Sequence, residues 1–195
     1  MGFPRQAIVG IMSIVSILNC AATCWSGTPL KLLRDDVVVF LGGADMVHLQ
    51  QAGHLEAILT RAFATQQPKF RDLSWEADTV FRQGTVIERW RQEGHGDLDG
   101  FGDLEQQLKS LKTTVVIVQF GRLGAMAGDP GLAEWADGYS GLVERLRRCA
   151  RQVVLVSPVP FEKPVSDLVP DVSRYNAGLG RYVQTIEQIA ARQGA

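Results

Sequence analysis

The feature that most constrains this chain is the run TTVVIVQF, Thr113 to Phe120, followed at once by Gly121. It is apolar and β-branched without alternating polar positions, the pattern of a strand buried on both faces. Such a strand needs like neighbours beside it and a covering layer above and below. Three other segments supply the neighbours: VVVFL (Val37 to Leu41), FRDLSW (Phe70 to Trp75) and QVVLVS (Gln152 to Ser157), the last stopped by Pro158 and Pro160. The covering layers come from segments with helical spacing. Leu49, Ala52, Leu55, Ile58, Leu59, Ala62 and Phe63 predict one helix over Val47 to Ala64. Further helices are predicted over Asp97 to Leu111, Leu132 to Cys149 and Val172 to Arg192. Residues 81–102, rich in glycine, predict a loop with a short helix at Val86 to Arg91. Strands alternating with helices imply a three-layer α/β/α sandwich with a flavodoxin-like parallel sheet of at least four strands and right-handed crossovers.

Composition agrees with one globular domain: 195 residues, 46% of them hydrophobic. A net charge of −1 gives no footprint for nucleic acid. The N-terminus reads as a targeting segment. Arg5 precedes the uncharged apolar run Ala7 to Leu18, and small residues follow in NCAATC. That order predicts a signal peptide over residues 1–24, with an uncleaved membrane anchor as the alternative. The expected product is exported, to the periplasm or outside the cell, with a linker over 25–36 and the domain over 37–195. Cys20, Cys24 and Cys149 form no metal-ligand spacing, and Cys149 reads as a buried, inert thiol. His48 and His54, six residues apart, do not share a helix face, and His95 falls in the glycine-rich loop. No GxGxxG or phosphate-loop pattern is present, so neither metal nor cofactor is expected. Trp75 and Trp135 read as core anchors.

In an open parallel sheet, ligands bind beyond the C-terminal ends of the strands. The segments placed there are Gly42–Met46, Trp75–Thr79 and Gly121–Ala125. VVVFLGGADMV resembles the first block of the SGNH (GDSL-type) hydrolases, where a strand ends in Gly-Asp-Ser. FRDLSWEADTV resembles their second block and VIVQFGRLGAMAG their third, which ends in Gly-x-Asn. VLVSPVP and YNAGLGRYVQTI are similar to the fourth strand and the helix that follows it. The resemblance spans about 35–195 and comes nearest to planctomycete-type members whose first block drifts to Gly-Gly-Thr.

The resemblance implies serine acyl transfer, in which a serine attacks, a histidine takes its proton and backbone and asparagine donors hold the oxyanion. Position by position, the motif falls on other residues here. The serine falls on Ala44, the aspartate before it on Gly43, the second-block glycine on Ala77 and the third-block asparagine on Leu123. The Asp-x-x-His block belongs after a fifth strand, and the chain reaches Ala195 before one. The expectation is a hydrolase-like domain without catalytic residues, with Ala44, Ala77 and Leu123 as vestigial positions, that serves as a binding or interaction module. The binding residues expected are Gly43, Asp45, Asp78, Gly121 and Arg122. Their ligand would be a small anion or a carbohydrate, with a downstream domain or protein as a further partner. An ion pair of Arg122 with Asp45 or Asp78 is the competing use of those residues. An esterase or acetylesterase acting on acylated carbohydrate through a shifted site, with Ser74 or Thr79 as nucleophile, is the alternative function.

Overall fold

The computed structural model describes residues 29–83 and 102–195. The targeting segment, Cys20, Cys24, the helix expected at 86–91 and His95 lie outside the described residues. Four strands form one all-parallel sheet: β1 (Val37–Gly42), β2 (Lys69–Asp72), β3 (Val115–Gln119) and β4 (Gln152–Val156), in the order β2-β1-β3-β4. Val38 pairs with Val115, and Val115 with Gln152, so three strands run in step toward the same end. β2 is short, but its ladder continues through Leu73 N–H to Phe40 O at 2.9 Å and Trp75 N–H to Gly42 O at 3.0 Å.

The two-residue period of a strand sends alternate side chains to opposite faces. Val38, Phe40, Val115 and Ile117 meet Met46 and Leu59 from helices α1 (Ala44–Ala52) and α2 (His54–Ala62). Val39, Leu41, Val116, Val118 and Val153 meet the other layer. That layer holds α3 (Leu104–Ser110), the short α4 (Arg122–Met126), α5 (Leu132–Cys149) and α6 (Asn176–Gln193). α5 buries Trp135, Tyr139, Leu142, Val143 and Leu146, and α6 buries Leu179, Tyr182, Ile186 and Ile189. Both sets follow the helical repeat. The result is the expected three-layer α/β/α sandwich with a parallel sheet.

Several boundaries move for physical reasons. The helix expected over Val47 to Ala64 is two helices, because Gly53 adopts a left-handed conformation (φ 68°) that ends α1 and begins α2. α3 begins at a capping box. Asp103 Oδ1 accepts from Gln106 N–H at 2.8 Å, and Gln106 Oε1 accepts from Asp103 N–H at 2.8 Å. Trp135 is buried at 5% exposure, but Trp75 is 42% exposed and is no core anchor. Cys149 is a free, half-buried thiol. The described part of the expected linker, residues 29–36, lies against the domain: Leu32 is buried and Asp36 pairs with Arg151. Among the described residues no helix is long and apolar enough to cross a membrane.

Candidate functional site

A cavity of about 350 Å³ opens just beyond the C-terminal ends of the strands. Three segments of different chain position converge on it because the strands are parallel and in step. β1 delivers Gly43, Ala44 and Asp45, the loop after β2 delivers Glu76 and Asp78, and β3 delivers Gln119 and Phe120 and then Gly121 to Leu123. All five expected binding residues, Gly43, Asp45, Asp78, Gly121 and Arg122, line this one cavity. Of the positions expected from sequence to be vestigial, Ala44 and Leu123 line it too, and Ala77 is exposed next to Asp78.

Two glycines let the segments come this close. A Cβ on Gly43 would lie 3.1 Å from the Asp78 carbonyl oxygen, so the first and second segments meet backbone to backbone. Gly121 sits at φ 131°, where side chains are strained, and a Cβ there would meet Pro158 at 3.2 Å. That turn starts α4, which places Arg122 and Leu123 as its first two residues.

The charges are arranged around Arg122. Its Nη1 donates to Asp45 Oδ1 at 2.7 Å, with the Asp45 side chain 11% exposed and that of Arg122 35% exposed. Its guanidinium also lies over the Phe161 ring, 4.6 Å from the centroid, a cation–π contact. Phe161 is fixed in turn by Asn176 at the start of α6. Phe161 N–H donates to Asn176 Oδ1 at 2.8 Å, and Asn176 Nδ2 donates to Phe161 O at 2.9 Å. Of the two ion pairs weighed from sequence, the structure forms Arg122–Asp45. Asp45 also stands in the first turn of α1, where a carboxylate complements the helix dipole.

Among the described residues the lining thus holds three carboxylates (Asp45, Glu76, Asp78), one guanidinium (Arg122) and one imidazole (His48). Leu123 is 60% exposed and Met126 42% exposed, and they make an apolar lip on α4. Gln119 forms part of the wall at 2% exposure. Its Nε2 donates to Ser157 O at 2.9 Å, and its Oε1 has no protein partner. Among the described residues no serine, threonine or cysteine lines the cavity. Ser74 does not reach the cavity wall: its Oγ donates to Asp72 Oδ1 at 2.5 Å, closing a local turn. Among the described residues no group of three or more His, Cys, Asp or Glu is placed to hold a metal ion.

Sequence reading missed His48, Phe161 and Val172 as members of this wall. His48 was findable, since it lies one helical turn after Ala44. Phe161 and Val172 sit at the two ends of an irregular connection between β4 and α6, whose path no periodicity encodes.

No family model matches the chain, and no curated protein matches it in sequence. Solved structures do match. An acetylxylan esterase from Geobacillus stearothermophilus, Axe2, superposes with a TM-score of 0.57 at 13% identity, covering 85% of this chain and 76% of that one. Catalytic mutants of that esterase replace a serine, an aspartate or a histidine by alanine. The acetyl xylan esterase AlAXEase superposes with a TM-score of 0.52 at 13% identity, covering 82% of this chain and 74% of that one. BT4096, a gut microbial diltiazem-metabolizing enzyme, gives 0.61 at 17% identity, covering 87% of this chain and 37% of that one. At these identities the likeness is one of fold: the chain has an α/β fold like that of these acetylxylan esterases.

Proposed function

We propose that this domain binds a neutral, hydroxyl-rich ligand of the carbohydrate class in the strand-end cavity and does not hydrolyse it. The observation that carries this reading is the lining itself: Ala44 opens α1 at the cavity, and among the described residues no hydroxyl or thiol side chain takes part in the wall. Without a nucleophile the acyl-transfer route of the family has no first step. Loss of a serine nucleophile lowers kcat by roughly 10⁶-fold, and an absent oxyanion donor at Leu123 removes about 10²-fold more.

The charges of the described lining favour the second of the two expected ligand classes. An anion would face three carboxylates, and the one guanidinium among the described lining residues is shared with Asp45 and the Phe161 ring. A polyol meets the reverse situation, since carboxylates and amide oxygens accept from hydroxyls. The Leu123–Met126 lip, 60% and 42% exposed, offers apolar surface to the C–H face of a sugar ring. The acetylxylan esterases that share the fold act on acetylated xylan, so xylo-oligosaccharides are the first ligands to try. We place the protein outside the cytoplasm, on the strength of Arg5 and the apolar run Ala7 to Leu18. A further domain or protein remains a proposed partner there.

The fold shared with esterases favours a second reading, an esterase with a shifted nucleophile. Ser74 or Thr79 is the side chain it would need; neither is among the lining residues, and the Ser74–Asp72 hydrogen bond counts against use of Ser74. Titration with xylotriose and its acetylated form, followed by two-dimensional NMR, tests the main reading. Shifts confined to the cavity with both ligands, and no acetate released, are expected. Acetate release that stops in Ser74→Ala would replace it with the second reading.

A further inference from the structure

A second cavity of about 350 Å³ lies where α4, the turn after it and the start of α6 meet. It shares no lining residue with the strand-end cavity, and its charge is the opposite. Two guanidiniums, Arg174 and Arg181, line it against one carboxylate, Asp129. The Arg181–Asp129 pair is open to solvent, with side chains 48% and 61% exposed, so it is weakly held and open to exchange with another anion. Arg174 Nη2 donates to the Tyr175 hydroxyl at 3.1 Å, and its guanidinium sits 5.0 Å from that ring's centroid. Each contact uses only part of an arginine's five N–H donors. Gly128 and Gly178 add bare backbone to the lining; a Cβ on Gly178 would lie 3.6 Å from the Ala125 carbonyl oxygen and 3.9 Å from Arg181 Nη2.

We propose that this cavity binds the phosphate or sulfate group of a small organic ester. Paired guanidiniums suit a tetrahedral oxyanion, whose oxygens accept bidentate charge-assisted hydrogen bonds. The volume lies in the range of small-molecule sites and exceeds the needs of a bare ion, so the ester's organic part has room beside Tyr175 and Pro130. Asp129 acts as the internal anion that the ligand displaces from Arg181.

Calorimetric titration at fixed ionic strength tests this with three probes: inorganic phosphate, glucose 6-phosphate and glucose. The site predicts that both anions bind, the ester more tightly, and that any heat from glucose survives Arg174→Ala/Arg181→Ala. That double variant loses anion affinity by about tenfold or more, since hydrogen bonds to charged groups are removed. Asp129→Asn, which keeps both arginines and removes their competitor, tightens binding by about threefold. Arg122→Ala, in the other cavity, leaves anion binding unchanged. The proposal is overturned if neither anion binds, if the double variant binds as well as the parent, or if Arg122→Ala abolishes binding. Equal affinity for phosphate and its ester would overturn the assignment to an organic ligand. If the double variant does not fold, Asp129→Asn decides: weaker or unchanged binding there contradicts the displaced-anion arrangement.

Discussion

Two arginine–aspartate pairs stand at opposite ends of the same sheet, and they are put to different uses. At the N-terminal ends of the strands, Arg151 Nη2 meets Asp36 Oδ2 at 2.5 Å, just before β4 and β1 begin. Around them the chain closes: Asp36 Oδ2 also accepts from Leu33 N–H at 2.6 Å, and Arg151 reaches Lys31 O at 3.4 Å. At the C-terminal ends, Arg122 Nη1 meets Asp45 Oδ1 at 2.7 Å, but there the neighbours are a cavity and an aromatic face. The chemistry of the pairs is nearly identical. What differs is strand polarity, which closes one end of a parallel sheet with entering chain and leaves the other end open for a ligand.

The contrast breaks first at Asp36. Asp36→Ala strips partners from Arg151 and from a backbone N–H, with the lost carboxylate 5% exposed. A stability loss of about 2 kcal/mol in urea unfolding is expected, for a buried carboxylate that leaves a backbone N–H and a guanidinium, itself 40% exposed, without their hydrogen bonds. A loss below about 1 kcal/mol would show that the two ends are not different in kind.

A smaller effect of opposite sign is expected behind the cavity. Tyr139 is fully buried between Phe120 and Trp135, and its hydroxyl has no hydrogen-bond partner among the described residues. Tyr139→Phe removes that unpaired group and stabilises the fold by about 1 kcal/mol. Burial also pushes the Tyr139 phenol well above its ordinary value near 10, and desolvation followed by the Asp129 charge raises Tyr182 as well. The folded state therefore keeps protons that the unfolded chain releases. Stability is full below about pH 10 and falls as pH rises beyond it. Tyr139→Phe flattens that alkaline fall, with Tyr182 responsible for what remains. An unchanged slope in the variant would contradict the burial of Tyr139.

The smallest stability effect belongs to Arg122. Its side chain is a third exposed, so Arg122→Ala costs less than about 1 kcal/mol of stability. Its weight falls on the ligand, with xylo-oligosaccharide affinity dropping about tenfold as the wall between Asp45 and Phe161 loosens. Unfolding and binding measured on the same variant separate the two roles. A large stability loss with unchanged binding would make Arg122–Asp45 a second structural clasp.

The fold was legible because its signals are local. Val115 to Gln119 and Val37 to Gly42 announce buried strands through apolar runs, and α5 falls on Leu132–Cys149, where periodicity places it. The site was legible in part, because parallel strands bring their C-terminal ends together whatever the details. Gly43, Asp45, Asp78, Gly121 and Arg122 share a cavity for that reason. Phe161 and its clamp by Asn176 were hidden, since they depend on a contact across fifteen residues of irregular chain. Gly53 was legible as a residue but not as a break, because α1 and α2 share one apolar pattern across it. Asp103 and Gln106 spell a capping box that periodicity alone passed over.

The central claim is that a domain with an acetylxylan-esterase-like fold has no nucleophile among the described residues of its strand-end cavity. Reaction of the purified protein with a fluorophosphonate, read by intact mass beside a heat-denatured control, tests it most directly. The account predicts no adduct on the folded protein. A stoichiometric adduct on the folded protein alone would contradict it, and the modified residue would name the nucleophile that Ala44 does not supply.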